Sequence, residues 1–110
     1  MIKFRGIKLD YTIERYRDGM TCIQLWTGGA PYTRATRAVE MPDSILDAMA
    51  AFFKVEPEQI VLIKNVDENQ DILQALMDAG IVSDTGDLWP CGYYDLNVCI
   101  LEASCLPEKK

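Results

Sequence analysis

The sequence predicts an α+β fold, with about five strands in one antiparallel sheet, element order β-β-β-α-β-α-β, and two helices on one face. Two observations carry this expectation. Residues 7–17 alternate apolar and polar side chains, and the turn signals at Asp18-Gly19 and Gly28-Gly29 divide the first forty residues into strands joined by tight turns. Beyond Pro42 the apolar residues instead recur at helical spacing in two stretches, each followed by a short apolar run. At 110 residues, 49% apolar and 25% charged, the chain is long enough for one modest core and too apolar to be disordered. Residues 1–106 are expected to form one domain, with 107–110 as a frayed tail.

In order, residues 7–17 place Ile7, Leu9, Tyr11 and Ile13 on one side and Lys8, Asp10, Thr12 and Glu14 on the other. Residues 20–27 form a second strand after the Asp18-Gly19 turn, and residues 32–41 a third after Gly28-Gly29-Ala30-Pro31. The first helix opens at Pro42-Asp43-Ser44, where Ser44 and Asp47 have capping-box spacing, and fails near Glu56-Pro57 because proline lacks the N–H a helix needs. Residues 59–64 are apolar and β-branched, hence a strand. The second helix is read from an Asp67 N-cap, with Gln70 three residues on, to a left-handed Gly80. Residues 84–87 read as a loop, residues 88–94 as an aromatic segment, and residues 94–103 as the last strand.

Charge is the most informative functional signal. Residues 65–106 contain no lysine or arginine but eight carboxylates, in a chain whose net charge is −6. On a continuous helix Asp67, Asp71, Gln74 and Asp78 would share one outward stripe, rising about 16 Å from end to end. Such a row can imitate a phosphate backbone, with charges about every 3.4 Å of axis per strand, and so fit a basic channel. The same residues also suit a helix N-terminus and a solvated face. Trp89 and Tyr93, with Tyr94, supply either a binding edge or aromatic pins that hold a loop to the sheet. Lys3, Arg5, Lys8, Arg15, Arg17, Arg34 and Arg37 read as strand charges nearly neutralised by neighbouring acids, so direct nucleic-acid binding is not expected.

The chain has no histidine, which removes Ser-His-Asp and Cys-His catalysis. Cys22, Cys91, Cys99 and Cys105 have no C-x-x-C spacing and read as reduced structural thiols, so neither a metal nor a cofactor is expected. Gly28-Gly29 precedes no phosphate-loop helix, and residues 67–78 lack the calcium-loop pattern. No apolar run reaches the roughly 20 residues of a membrane span, and the start lacks a signal-like stretch, so a cytoplasmic location is expected.

Three segments carry a resemblance: Tyr-Thr-Ile-Glu-Arg-Tyr-Arg-Asp-Gly-Met-Thr-Cys-Ile-Gln-Leu-Trp-Thr at 11–27, Ala-Gly-Ile-Val-Ser-Asp-Thr-Gly at 79–86, and Pro-Cys-Gly-Tyr at 90–93. In this order they resemble a family of proteins of similar length encoded on plasmids, prophages and conjugative elements of gut bacteria. Residues 43–58 depart from its pattern and read as an addition that builds the first helix. The resemblance brings no catalytic residue; it implies a setting in which small acidic proteins inhibit host defence, as anti-CRISPR and anti-restriction proteins do. The expected function is non-enzymatic binding of a protein with a basic surface, such as a CRISPR or restriction nuclease, through Asp67, Asp71, Asp78, Asp84 and Asp87, with Trp89 and Tyr93 as anchors. The alternative is an accessory module of plasmid or phage biology that self-associates, as a homodimer, through a sheet edge.

Overall fold

The computed structural model describes residues 2–17 and 19–106, so Asp18 of the expected turn and the tail at 107–110 lie outside it. The α+β class holds. Seven strands make two antiparallel sheets: β1 (Ile2–Phe4), β2 (Ile7–Arg15), β3 (Thr21–Thr27) and β4 (Ala30–Arg34) in that order, and a smaller sheet ordered β5 (Ile60–Ile63), β7 (Tyr94–Leu101), β6 (Val82–Cys91). Helix α1 spans Asp43–Phe53 and α2 spans Ile72–Asp78.

Two strands were not expected from sequence. β1 is only three residues long, and buries Ile2 and Phe4 while turning Lys3 outward. Its two-residue turn, Arg5-Gly6, has both φ angles positive, the twist that hairpins favour, although arginine is not the usual residue there. β6 occupies the expected loop and aromatic segment. It hides from pattern reading because its register shifts between Asp84 and Leu88, where the bulge bonds itself: the Gly86 N–H donates to Asp84 Oδ1 at 3.0 Å and the Asp87 N–H to Thr85 Oγ1 at 3.2 Å. Pro90 is tolerated because β6 is an edge strand.

The expected third strand is cut short at Arg34. Beyond it, residues 35–37 run between the two sheets. The Ala35 N–H donates to Ile23 O (3.0 Å), Lys64 N–H to Ala35 O (2.8 Å) and Arg37 N–H to Leu62 O (3.3 Å). Buried Thr36 bridges Ile63 within this seam.

The helices lie on opposite faces of the small sheet rather than on one. Every residue of β5 is buried, so both of its faces need cover. Ile60 and Leu62, with Leu96 and Val98 of β7, pack with Ala50, Leu46, Met49 and Phe53 of α1. Val61 and Ile63, with Cys99 and Leu101, pack with Ile72 and Leu76 of α2, and there meet Ile2, Leu9, Ile23 and Leu25 of the larger sheet.

Both helix starts differ from expectation. Pro42 precedes α1, and no side chain caps it, so the Ser44–Asp47 spacing is unused. α1 stops at Lys54, which adopts the left-handed conformation, and the Val55 N–H reaches back to Ala50 O at 2.9 Å; Pro57 only begins the next 3₁₀ turn. The expected second helix is broken: Asp67–Asn69 is a 3₁₀ turn, and Asp67 and Asp71 have φ of 55° and 73°. Asn65, not Asp67, satisfies the N-terminus of α2 by accepting the Leu73 N–H at 2.9 Å. Gly80 ends α2 as expected, with φ 73°.

Candidate functional site

Breaking the second helix dissolves the acidic stripe. Asp67 and Asp71 sit in left-handed turns, and only Gln74 and Asp78 share a helical face, where the Gln74 amide donates to Asp78 Oδ1 at 2.8 Å. Asp78 shares a depression of about 240 Å³ with Lys3, and Asp67 lies close enough to Lys64 to add to the attraction that keeps that lysine charged. Asp67 and Asp78 thus lie near cations of the chain itself.

Asp84 and Asp87 behave differently. Both are exposed on the β6 bulge. Asp87 forms part of the wall of a groove of about 430 Å³, whose remaining lining is Ser44, Ile45, Ala48, Met49, Phe52 and Phe53 of α1. Phe52 is 78% exposed, and its ring meets Phe53 edge-on at 5.1 Å. Ile45 and Leu88 are also exposed, at 40% and 56%. Acidic Asp43 and Asp47 lie outward on the same helix. This edge therefore joins uncovered apolar area to carboxylates without a cation among the lining residues.

The two aromatic candidates separate. Trp89 is half-buried and packs into the α1 cluster, as does Tyr94, so both pin the hairpin to the sheet. Tyr93 stands fully exposed at the Gly92-Tyr93 turn between β6 and β7, and along a strand that places it roughly 20 Å from Asp87. The structure thus brings Asp84, Asp87, Trp89 and Tyr93 onto one hairpin and leaves Asp67, Asp71 and Asp78 elsewhere. Phe52 was missed because a second phenylalanine beside Phe53, at helical spacing, reads as core; only the packing reveals which of the two is buried.

A second site was also missed. Tyr16, Thr33, Arg34, Thr36, Arg37, Lys64 and Glu68 line a cleft of about 330 Å³ at the seam between the sheets. The Tyr16 hydroxyl lies 3.0 Å from Thr36 Oγ1, and Arg34 stacks over the Tyr16 ring at 5.6 Å. Burial pushes the Tyr16 phenol up to about 12, so the group is a neutral hydroxyl at ordinary pH. Arg37 donates to the Tyr94 hydroxyl, and Arg37 and Lys64 lie 5.6 and 5.9 Å from the centre of that ring. Lys64 Nζ bonds Glu68 Oε1 at 2.8 Å, which raises the lysine pKa and lowers that of the carboxyl. Fully buried Asn69 holds the floor, donating to Arg34 O at 2.7 Å and accepting from Thr33 Oγ1 at 3.0 Å. No spacing rule joins positions 16, 34, 37 and 64, so no sequence signal marked this cleft.

The cysteines are dispersed and free. Cys99 is buried, which pushes its thiol up to about 12, with Asp84 adding to the effect. Cys105 accepts from the Tyr11 hydroxyl at 3.4 Å. Among the described residues no three of Cys, Asp and Glu come together as metal ligands, and no helix is long and apolar enough to cross a membrane.

The chain matches no protein-family model, no curated protein and no solved structure.

Proposed function

We propose that the protein acts by non-enzymatic binding, using the edge formed by α1 and the β6–β7 hairpin to occupy a protein surface that presents basic and apolar side chains. The observation that carries this reading is Phe52, left 78% exposed over an apolar groove that Asp87 borders. An apolar anchor beside carboxylates fits a partner whose own anchor is framed by lysine or arginine. The family resemblance supplies the partner class: a nuclease of host defence, of CRISPR or restriction type, whose nucleic-acid channel is basic. Asp84 and Asp87 then make the charged contacts, Phe52 and Tyr93 the apolar ones, and Trp89 supports the hairpin from beneath.

The test is plasmid establishment in cells carrying a defined RNA-guided or restriction nuclease. The protein should restore establishment against at least one such system. Asp84→Lys with Asp87→Lys should abolish the rescue, and Asp71→Lys with Asp78→Lys should leave it intact. Equal loss from both pairs would return the contact to diffuse acidity; no rescue against any system would remove the defence reading.

Self-association through a sheet edge is the second reading. It is less well supported, because β6 carries a bulge, two carboxylates and Pro90 along its free edge, and β4 carries Pro31. A dimer in sedimentation that persists in high salt would favour it.

A further inference from the structure

The cleft at the seam lies apart from the α1 edge and carries charge of the opposite sign. Arg34, Arg37 and Lys64 point three cations at it against the single carboxylate of Glu68. Of these three cations Lys64 is the one held in an ion pair. In a chain with 17 acids and 11 bases, three cations against one carboxylate in the lining of one cleft is a local exception to the overall charge.

The backbone makes the arrangement rigid. Arg37 and Lys64 sit on neighbouring, hydrogen-bonded segments of the seam, and Arg34 is held through its carbonyl by buried Asn69. The guanidinium groups rest on aromatic rings, Arg34 on Tyr16 and Arg37 on Tyr94, which limits their freedom. The hydroxyls of Tyr16 and Thr36 line the same wall and add neutral hydrogen-bonding groups.

From this geometry we infer that the cleft is a binding site for one phosphate group, either inorganic phosphate or the phosphate of a small phosphomonoester. The lining carries three cations and one carboxylate, a net +2 that Asp67 near Lys64 partly offsets, and this positive charge complements the roughly −1.5 to −2 of a phosphate group at pH 7. Guanidinium groups bond phosphate oxygens in pairs, a geometry that chloride cannot use. A volume of about 330 Å³ sits at the small end of ligand sites and leaves room for a compact substituent beside the phosphate. Glu68 occupies the position of a competing anion: its carboxylate holds Lys64 until a ligand takes its place.

Titration of the whole protein followed by amide and arginine-side-chain NMR tests the site, with inorganic phosphate, phenyl phosphate, and chloride at matched ionic strength. Phosphate should shift the signals of Arg34, Arg37 and Lys64 in a saturable way, and chloride should not. Arg34→Gln and Arg37→Gln should each weaken binding at least tenfold. Glu68→Gln should tighten it several-fold, a gain that misfolding cannot produce. Tighter binding of phenyl phosphate identifies a phosphomonoester as the ligand, and equal binding identifies phosphate itself. Shifts that follow ionic strength alone, or an unchanged affinity in Glu68→Gln, would overturn the site. A phosphoserine peptide bound far more tightly than phenyl phosphate would overturn the small-molecule assignment.

Discussion

The two helices are written in similar apolar periodicity but do different work. α2 has seven residues and buries four of them, Ile72, Leu73, Ala75 and Leu76, at the point where both sheets meet. α1 has eleven residues and buries only Ala50, with Leu46, Met49 and Phe53 half-covered and Phe52 left to solvent. Apolar area on α2 is consumed by folding; part of the area on α1 remains available. A helix that is amphipathic in sequence thus serves the core or a partner according to how much sheet is left to receive it.

The widest contrast should appear on truncation. Leu76→Ala removes a side chain with no solvent exposure and should cost about 2–5 kcal/mol, read as a lower urea midpoint at unchanged slope. Such a loss would leave a domain of this size close to unfolding.

Alkaline titration probes the side of the small sheet that α2 covers. Cys99 in the folded state titrates at about 12 against 9.0 for an ordinary thiol, so the folded form keeps a proton that the unfolded chain has lost. Its contribution is complete below pH 9 and disappears as pH rises from 9 towards 12, by up to about 1.4 kcal/mol per pH unit. Tyr16, raised from 10.0 to about 12, adds to the loss over the upper part of that range. Urea unfolding at pH 7, 9 and 10.5 should show it. Cys99→Ala should be less stable at pH 7 yet lose stability less steeply; an unchanged slope would contradict the assignment.

The helix ends offer a smaller and opposite pair of effects. Both end on a left-handed residue, but α2 uses Gly80 and α1 uses Lys54. Lys54→Gly should stabilise by about 0.5–1 kcal/mol, because a side chain is strained at that φ. Gly80→Ala should destabilise by about 1 kcal/mol, through φ alone, since a Cβ there would meet open space. Thermal melts of the two variants should move in opposite directions.

Phe52→Ala is expected to change stability least, within about 0.5 kcal/mol, while removing the main apolar contact of the α1 edge. A stability loss as large as that of Leu76→Ala would show that Phe52 belongs to the core after all.

Much of the architecture was legible because it depends on neighbours along the chain. Period-two alternation located β2, the turn signal after it located β3, the apolar run at 59–64 located β5, and Gly80 marked the end of α2. The acidic helix was misread for a related reason. Asp67 and Asp71 have ordinary helical spacing, but Asn69 is drawn inward to bond Arg34 O and Thr33 Oγ1 on β4, and the chain must turn on both aspartates to allow it. That demand comes from a residue 35 positions away.

By itself, then, the sequence determined the α+β class, the central strands, the helix terminus at Gly80 and the cation-free stretch at 65–106. These follow from local backbone preference and from composition. Only the tertiary structure decided that β6 is a bulged strand, that the helices cover opposite faces, that Phe52 and Asp87 share a groove, and that Arg34, Arg37 and Lys64 converge. Each of those depends on which distant segment arrives alongside, and pairing across a sheet leaves no fixed spacing in the sequence to announce it.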